Sequence, residues 1–259
     1  MIGNRFSRLK RLIGPERLDL LRSKTVTVVG LGAVGGYALE GLARAGINHF
    51  RLVDFDKVCL TNINRQVLAL ESTLGKPKVE VARDRIKDIN PDCRVETLDL
   101  FVDAETVDQV LFPQPDLIID AIDSLNPKIE LLVRIREQRI PVISSMGAAL
   151  RTDPTLIRVD DIMDSWKCPM AKRIRKRLRR RGVEGGIPCV YSTEDIDIAH
   201  SGIEIVDELG QGHEQGIERG RVRQVLGSLP TVTAIFGLTI ANLAILQLSS
   251  LDQENDKLA

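Results

Sequence analysis

The feature that most constrains the fold is a glycine-rich turn, with Gly30, Gly32 and Gly35 in the sequence GLGAVG, between a strand pattern and a helix pattern. The β-branched, apolar run at 25–29 is typical of a strand buried on both faces of a parallel sheet. The segment 33–45 repeats apolar residues every three or four positions, which predicts a helix. In this setting the N–H groups of the turn and the N-terminus of the helix can face a phosphate. The same pattern serves enzymes that bind NAD, FAD, S-adenosylmethionine or ATP.

Strand and helix patterns alternate through about residue 145 and predict an α/β fold, a Rossmann-like, doubly wound and mainly parallel sheet with helices on both faces. Further strands are expected at 50–54, 94–98, 117–119, 141–144, 155–159 and 189–192, and further helices at 77–90, 104–111, 128–138 and 232–248. The stretch 172–181 is interpreted as a basic helix or a loop. Because no repeat or linker divides the chain, we expect one domain over 1–259, with a nucleotide-binding half (5–150) and a substrate-binding and dimer half (151–250).

Composition narrows the classes of function. The chain has 259 residues, 36 basic and 36 acidic, with a mean hydropathy of −0.03, as in a soluble globular protein and unlike a polytopic membrane protein. Only 3% of the residues are aromatic, too few for an extended base-stacking platform. Eight of the basic residues lie at 172–181, so a nucleic-acid contact is expected to be mainly electrostatic.

The spacing of the cysteines and the positions of apolar segments indicate the cellular compartment of the protein. The four cysteines are widely spaced and form no CxxC pair, and the N-terminus has no apolar signal-peptide core, which favours the cytoplasm. The apolar segment 232–248 is slightly short for a membrane span. A buried or interface helix is our preferred interpretation of it, and weak membrane association through this helix is left open.

Polar side chains follow the second predicted strand in unusual density, in the segment DFDKVCLTNINRQ at 54–66. Asp54 ends that strand, where a carboxylate holds ribose hydroxyls in dinucleotide-binding folds. Lys78 falls in the first turn of a helix, an unfavourable place for a cation unless an anion compensates. Arg65 and Lys78 are therefore candidates to hold the phosphates of a nucleoside triphosphate, and Asp123 is a candidate ligand of Mg²⁺.

These motifs together resemble a known superfamily. GLGAVGG, LVDFDKVCLTNINRQ, GKPKVE and DAIDSLNPK are similar to the E1-like adenylating enzymes, which include ubiquitin-activating enzymes and activators of molybdopterin and thiamine sulfur carriers. The match covers about residues 5–150. It implies an E1-like adenylation fold with ATP at the glycine-rich loop. It also implies a homodimer in which an N-terminal arginine enters the partner subunit's site; Arg8 is our choice, with Arg5 and Arg11 as alternatives.

The resemblance also assigns roles to individual positions. It implies that Asp54 holds the ribose, that Asn62, Arg65 and Lys78 contact the phosphates, and that Asp123 coordinates Mg²⁺. The candidate ATP-binding residues are Gly30, Gly32, Gly35, Asp54, Asp56, Asn62, Arg65, Gln66 and Lys78. The candidate catalytic residues are Arg8, Arg65, Lys78 and Asp123, and Asp123 is also the candidate metal ligand.

The second half narrows the resemblance to one branch. SSMGAALRTDPTLI, the basic run and CVYSTE are similar to the tRNA threonylcarbamoyladenosine dehydratases. The paired CxxC motifs that bind structural zinc in sulfur-carrier activators are missing, so zinc is not expected. This resemblance implies ATP-dependent dehydration (cyclisation) of N6-threonylcarbamoyladenosine at position 37, in the anticodon loop of tRNA, through an acyl adenylate, with release of AMP and pyrophosphate.

Other functions are left open by the residues. The chief alternative is an enzyme that adenylates the C-terminal glycine of a ubiquitin-like sulfur-carrier protein, with Cys189 as the candidate thiol. A cysteine desulfurase or a sulfur acceptor is left open as a partner. A non-catalytic nucleotide-binding adaptor is disfavoured, because Arg65, Lys78 and Asp123 are all retained.

Overall fold

The computed structural model describes residues 5–196 and 226–251. Its helices are α1 (Ser7–Ile13), α2 (Pro15–Ser23), α3 (Gly35–Arg44), α4 (Lys78–Ile89), α5 (Val107–Leu111), α6 (Leu125–Glu137), α7 (Pro169–Arg180) and α8 (Pro230–Leu248). Its strands are β1 (Thr25–Val29), β2 (His49–Val53), β3 (Arg94–Leu98), β4 (Leu117–Asp120), β5 (Val142–Ser145), β6 (Ile157–Asp161) and β7 (Pro188–Ser192). Short 3₁₀ turns occur at Leu60–Asn62, Glu71–Thr73 and Pro154–Leu156.

All of these strands join one sheet, in the order β3-β2-β1-β4-β5-β7-β6. Every pairing is parallel except that of β6 with β7. The carboxyl ends are level, because Val29 is in register with Val53 on one side and with Asp120 on the other. The predicted doubly wound α/β fold is therefore confirmed, and the loops that follow β2, β1 and β4 meet at one edge of the sheet.

The sheet is covered on both faces because alternate residues of its strands point in opposite directions. Leu117 and Ile119 of β4 pack in one apolar cluster, with residues of α3, α4 and α8. Ile118, between them, packs in a second cluster with residues of α5, α6 and α7. This two-sided burial explains why the strands have nearly continuous apolar sequences.

Besides shifts of one to three residues at several element ends, such as the starts of α5 and α6, the elements differ from the sequence-based prediction in three respects. Helices α1 and α2 were not predicted, because charged residues interrupt the few apolar positions of this segment; α1 contains no buried residue. Strand β6 begins at Ile157, two residues late, because the Asp153 carboxylate accepts from the Thr155 N–H at 2.8 Å and stabilises a 3₁₀ turn. The basic stretch is a helix and not a loop, since Ile174 and Leu178 are fully buried one turn apart.

The apolar helix α8 packs closely against α3. A Cβ added at Gly237 would lie 2.4 Å from the Val34 carbonyl oxygen, and one added at Gly41 would lie 2.7 Å from the Ala241 Cβ. Phe236 and neighbouring residues of α8 are buried in the core. By length and hydropathy α8 could cross a membrane, a weak indication for one helix, and 44% of its apolar window is buried within the protein.

Candidate nucleotide site at the carboxyl edge of the sheet

Two glycines of the turn after β1 are required by packing. Gly30 has φ +90° and its N–H donates to the Val53 carbonyl at 2.8 Å. A Cβ at Gly30 would meet the Ala121 carbonyl oxygen at 2.8 Å, and a Cβ at Gly35 would lie 1.8 Å from the Gly30 oxygen. These contacts bring the turn against the loop after β4, so any side chain at Gly30 or Gly35 would force the backbone apart.

The third glycine of the turn has a different environment. A Cβ at Gly32 would find only the Gln66 side-chain nitrogen, at 4.0 Å. Protein packing therefore does not require glycine at this position. Open space at this position, just before the N-terminus of α3, is what the approach of a phosphate group needs.

Asp54 links the end of β2 to the glycine-rich turn. Its Oδ2 accepts from the Leu31 N–H at 2.6 Å, and its Oδ1 accepts from the Asp56 N–H at 2.8 Å. Burial raises the pKa of this carboxyl, against the opposing effect of Lys78 and the two backbone donors. Each oxygen keeps a second lone pair, so Asp54 shapes the turn and can still accept a hydroxyl hydrogen.

Lys78 is buried at the start of α4, and its compensating anion lies within the protein. Its Nζ pairs with Asp56 Oδ2 at 2.8 Å. Burial opposes its charge, but the carboxylates of Asp54 and Asp56 outweigh burial and raise the pKa of Lys78. The ammonium group is therefore charged at neutral pH, and its two remaining hydrogens are available to a phosphate oxygen.

The loop between β2 and α4 holds the other predicted phosphate-binding residues. Asn62 and Gln66 are buried, and Asn62 Oδ1 accepts from the Cys59 N–H at 3.2 Å. Arg65 is half-buried and donates to the Thr61 carbonyl and to Asn64 Oδ1, both at 2.9 Å. Arg65 is thus folded on its own loop and must exchange these contacts if it is to bind a phosphate.

The turn after β4 is held by a buried ion pair that the sequence analysis missed. Lys128 Nζ lies 2.7 Å from Asp120 Oδ2, and both side chains are fully buried. Ser144 donates to the same carboxylate at 2.6 Å. The pair also fixes Ile122, whose N–H donates to Asp120 Oδ1 at 3.2 Å and whose carbonyl accepts from Lys128 at 2.9 Å. A lysine on the apolar face of a predicted helix was the signal that could have revealed this network.

Asp123 directly follows that fixed residue and is exposed at the edge of the sheet. Its Oδ1 accepts from the Ser124 hydroxyl at 3.2 Å. Within 5–196 and 226–251, no three His, Cys, Asp or Glu side chains form a group that could hold a metal. A single hard carboxylate still suits Mg²⁺, which usually binds through one or two carboxylates with substrate phosphates and water.

The structure thus joins some of the predicted residues and separates others. Asp54, Asp56 and Lys78 form one hydrogen-bonded and charged group beside the glycine-rich turn. Arg65 and Asp123 lie in the loops after β2 and β4, at the same edge of the sheet, and each is bonded to its own neighbours. A bound triphosphate would have to bridge these groups.

The N-terminal arginines lie at and beside α1. Arg8 is exposed, and Arg5 is tied to the end of α4 by a 3.0 Å hydrogen bond to the Ile89 carbonyl. Leu12, on the same helix, is 82% exposed. Arg8 therefore does not share the hydrogen bond that holds Arg5. It lies on a helix whose Leu12 side chain faces outward.

Helix α7 presents its cations on an outer surface. Arg177 contacts Asn126, and Arg181 pairs with Glu130 at 2.9 Å, both across to α6. Arg175 is bonded to Ser165. Among the described residues, the five other cations have no ion-pair partner; they are Lys172, Arg173, Lys176, Arg179 and Arg180. We refer to these five as the basic face.

The segments that resemble the dehydratase branch meet near the end of β7. The Glu194 carboxylate accepts from the Thr152 N–H at 2.9 Å, the Thr152 hydroxyl at 2.8 Å and the Asp153 N–H at 3.1 Å. The buried Arg151 donates to the Glu194 carbonyl. These contacts tie the loop after β5 to the loop after β7, a role that the sequence analysis did not assign.

Cys189 is a poor candidate for a reactive thiol. It is fully buried in β7, and burial raises its pKa to about 12. Reactive cysteines need an accessible thiolate. The structure therefore assigns Cys189 to the core.

Comparison with known proteins places the chain in a family. The family model for the ThiF family matches residues 6–258. A curated tRNA threonylcarbamoyladenosine dehydratase of Escherichia coli is 37% identical over 248 residues, which span 93% of this chain and 92% of that protein. The corresponding Bacillus subtilis enzyme is 44% identical over 191 residues, spanning 74% of this chain and 75% of the enzyme. The chain therefore belongs to the ThiF family, and its near-full-length relatives there are tRNA threonylcarbamoyladenosine dehydratases.

Solved structures agree with this assignment. The crystal structure of the Escherichia coli dehydratase in complex with ATP superposes with a TM-score of 0.81 at 34% identity, covering 96% of each chain. The same enzyme in complex with AMP also gives 0.81, covering 96% of this chain and 97% of that one. The resemblance stated from the motifs is thus confirmed along the chain.

Sulfur-carrier activators match a shorter part of the chain. The molybdopterin-synthase adenylyltransferase of Escherichia coli is 37% identical over 153 residues, which are 58% of this chain and 60% of that protein. Identity alone does not separate the two groups, because the Escherichia coli dehydratase is equally identical. The difference lies in coverage, since the Escherichia coli dehydratase spans 93% of this chain and the adenylyltransferase spans 58% of it.

Proposed function

We propose that this protein is an ATP-dependent tRNA threonylcarbamoyladenosine dehydratase, which cyclises the threonylcarbamoyl group on adenosine 37 of tRNA. The observation that carries the proposal is near-full-length similarity to such an enzyme, which has been crystallised with ATP and with AMP. The adenylation of a sulfur-carrier protein is less well supported, because those relatives match 58% of the chain and Cys189 is buried.

The nucleotide would lie along the carboxyl edge of the sheet. Asp54 would accept a ribose hydroxyl, and the phosphates would follow the open space at Gly32 towards the N-terminus of α3. Lys78, charged and fixed by Asp56, would donate to phosphate oxygens. Arg65 would exchange its contact with Asn64 for a phosphate, which a charge-assisted hydrogen bond favours.

Asp123 would hold Mg²⁺ by one carboxylate oxygen, with phosphates and water completing the shell. Bound there, the ion would neutralise charge on the triphosphate. The protein's own part is to hold that carboxylate in place through the Asp120–Lys128 pair, which fixes the preceding residue, Ile122.

The reaction then needs two steps on the substrate. A carboxylate oxygen of the threonylcarbamoyl group attacks the α-phosphorus of ATP; the bond to the β-phosphate oxygen breaks and pyrophosphate leaves. A nitrogen of the same group then attacks the activated carbonyl, loses its proton and closes a ring as AMP departs, so that one water is lost overall. Because the second step is intramolecular, positioning replaces a protein nucleophile.

The tRNA would bind through the second half of the chain. The basic face of α7 supports contact with a phosphate backbone, because these cations have no acidic partner among the described residues. Sequence-specific contacts to RNA are made mostly to unpaired loops, since the A-form major groove is too narrow for side chains. The half comprising residues 151–250 would therefore bind the anticodon loop, and one domain would hold both substrates.

The proposal includes a homodimer in which Arg8 enters the partner's site. The exposed side chains of Arg8 and Leu12 on α1 support this arrangement. The cytoplasm is the proposed compartment, supported by the described cysteines at 59, 93, 168 and 189, which form no disulfide with one another. A sulfur-transfer partner is not included, because Cys189 is in the core.

The decisive experiment is to incubate the protein with ATP, Mg²⁺ and tRNA carrying threonylcarbamoyladenosine, and to follow the nucleoside by mass spectrometry. We expect an ATP-dependent loss of one water. The variant Asp123→Ala should reduce the rate at least about a hundredfold, whereas Asp92→Ala, which removes another exposed carboxylate, should not. An intact nucleoside, with ATP binding verified, would reject the proposed function. Unchanged turnover by Asp123→Ala would reject only the role of that residue.

A further inference from the structure

Trp166 is the one tryptophan of the chain, and the proposed function does not use it. It lies in the turn between β6 and α7 with 52% of its surface exposed. The Lys167 ammonium group lies 5.5 Å from the centre of its ring. The ring therefore faces solvent beside a cation, an arrangement in which an added flat aromatic group could stack.

The turn that carries Trp166 is held firmly by its neighbours. The Ser165 hydroxyl donates to the Ile162 carbonyl at 2.6 Å, and the Cys168 N–H donates to the Trp166 carbonyl at 2.7 Å. The exposed ring thus stands on a fixed backbone, so little conformational freedom would be lost on stacking.

The same turn is joined directly to α7, the helix that carries the basic face. Arg175 of α7 donates to both the carbonyl and the hydroxyl of Ser165, the residue before Trp166. Trp166 therefore lies beside the helix whose five outward cations have no acidic partner among the described residues. Cations that follow a backbone, next to an aromatic ring that accepts a base, are the combination used to bind single-stranded nucleic acid.

A membrane surface fits this region less well. Membrane-surface helices bury an apolar face among the acyl chains. The apolar residues of α7 are already buried in the protein core; they are Ala171, Ile174 and Leu178. The outer side of α7 therefore offers cations without a face that can insert.

We propose that Trp166 stacks on an unpaired base of the RNA whose backbone follows the basic face of α7. This inference rests on the proposed function and adds a specific base contact to a surface that the sequence suggested was mainly electrostatic. It makes Trp166 the residue by which the protein distinguishes a loop from a duplex.

Because Trp166 is the one tryptophan, its fluorescence reports on the contact directly. The wild-type protein is titrated with an unmodified anticodon stem–loop RNA and, separately, with a blunt RNA duplex, while binding is followed by the anisotropy of a dye on the RNA. We expect the stem–loop to lower tryptophan emission at least about twofold at saturation through base stacking. At concentrations at which the duplex binds, it should leave the tryptophan emission nearly unchanged.

Two substitutions separate stacking from folding. Trp166→Ala should weaken stem–loop binding roughly 5- to 150-fold, whereas Trp166→Phe, which keeps an aromatic ring, should retain most of the affinity. Phe112→Ala removes an exposed aromatic ring at the end of α5 and should leave binding unchanged. ATP binding by each variant verifies that it is folded.

The outcomes distinguish the two proposals. One outcome would overturn the stacking inference alone. In it, stem–loop binding depends on Arg179 and Arg180, but it leaves the tryptophan emission unchanged and is insensitive to Trp166→Ala. Failure to bind either RNA, together with an inactive dehydration assay, would overturn the proposed function and the inference with it. An emission change with anionic lipid vesicles and not with the stem–loop would overturn the inference in favour of a membrane contact.

Discussion

Gly32 and Gly35 lie three residues apart in the same turn, yet a methyl group added to each would meet different surroundings. At Gly35 it would overlap the Gly30 oxygen, whereas at Gly32 the nearest atom is 4.0 Å away. We expect Gly32→Ala to change the free energy of unfolding by no more than about 0.5 kcal/mol, and to weaken ATP binding at least about tenfold by occupying the space of a phosphate. Gly35→Ala should lower stability and ATP binding together. Urea unfolding and calorimetric titration with ATP measure the two effects; equal destabilisation by both variants would contradict the assignment.

Cys189 gives a prediction about pH. Burial keeps its thiol protonated in the folded protein up to a pKa of about 12, while the thiol of an unfolded chain ionises near its ordinary pKa of 9.0. The unfolded state therefore binds fewer protons between these values, so the free energy of unfolding falls as pH rises from about 9 towards 12. Near pH 8, iodoacetamide should modify Cys189 only after denaturation. Rapid labelling of Cys189 in the native protein, located by peptide mass spectrometry, would restore it as a candidate nucleophile.

Single residues could be predicted only where their sequence position already fixed their environment. Asp54 and Lys78 were found because one directly follows a strand and the other begins a helix. The partner of Lys78 was not predicted, because the compensating anion was expected to be a bound phosphate, whereas the structure pairs Lys78 with the carboxylate of Asp56. Trp166 was passed over because one aromatic residue cannot form an extended platform, and only its fixed backbone beside α7 gives it a role.

At the scale of elements, the pair Asp120–Lys128 joins β4 to α6 and fixes the turn between them. Removing one partner leaves the other charge buried without compensation. We expect Lys128→Met to lower the free energy of unfolding by about 3–5 kcal/mol. Arg134→Met, which breaks an exposed ion pair of the same helix with Asp108, should change it little. Chemical denaturation tests both, and similar small effects would mean that water reaches the Asp120 carboxylate in solution.

The success of the sequence-based prediction also differed among elements. Strands β1 and β3 were predicted with their observed ends, because apolar runs between turn residues have sharp boundaries. Helices α1 and α2 were missed. Helix α1 has no buried residue, so burial in the core is not what makes this segment helical. The helical form of α7 was settled by burial of Ile174 and Leu178, whose apolar partners lie on distant segments.

At the scale of the whole molecule, the proposed dimer predicts complementation. In a symmetric dimer each site would combine Asp123 of one subunit with Arg8 of the other. The variants Arg8→Ala and Asp123→Ala should each be inactive alone. Mixed and allowed to exchange subunits, they should regain about a quarter of wild-type activity, since half of the dimers would contain one intact site. No recovery, with exchange verified by differently tagged subunits, would mean that Arg8 does not act across the interface.

The contact between Gly237 and Val34 has a consequence for the order in which the protein matures. Val34 belongs to the glycine-rich turn, and about two hundred residues separate it from the helix that covers it, which makes this a contact of very high sequence separation. During synthesis the β1–turn–α3 unit leaves the ribosome early, but its outer surface stays bare until α8 arrives. A nascent chain that ends before residue 230 would therefore have every residue of the nucleotide site and still bind ATP poorly, so the capacity to react would appear late, in a single step.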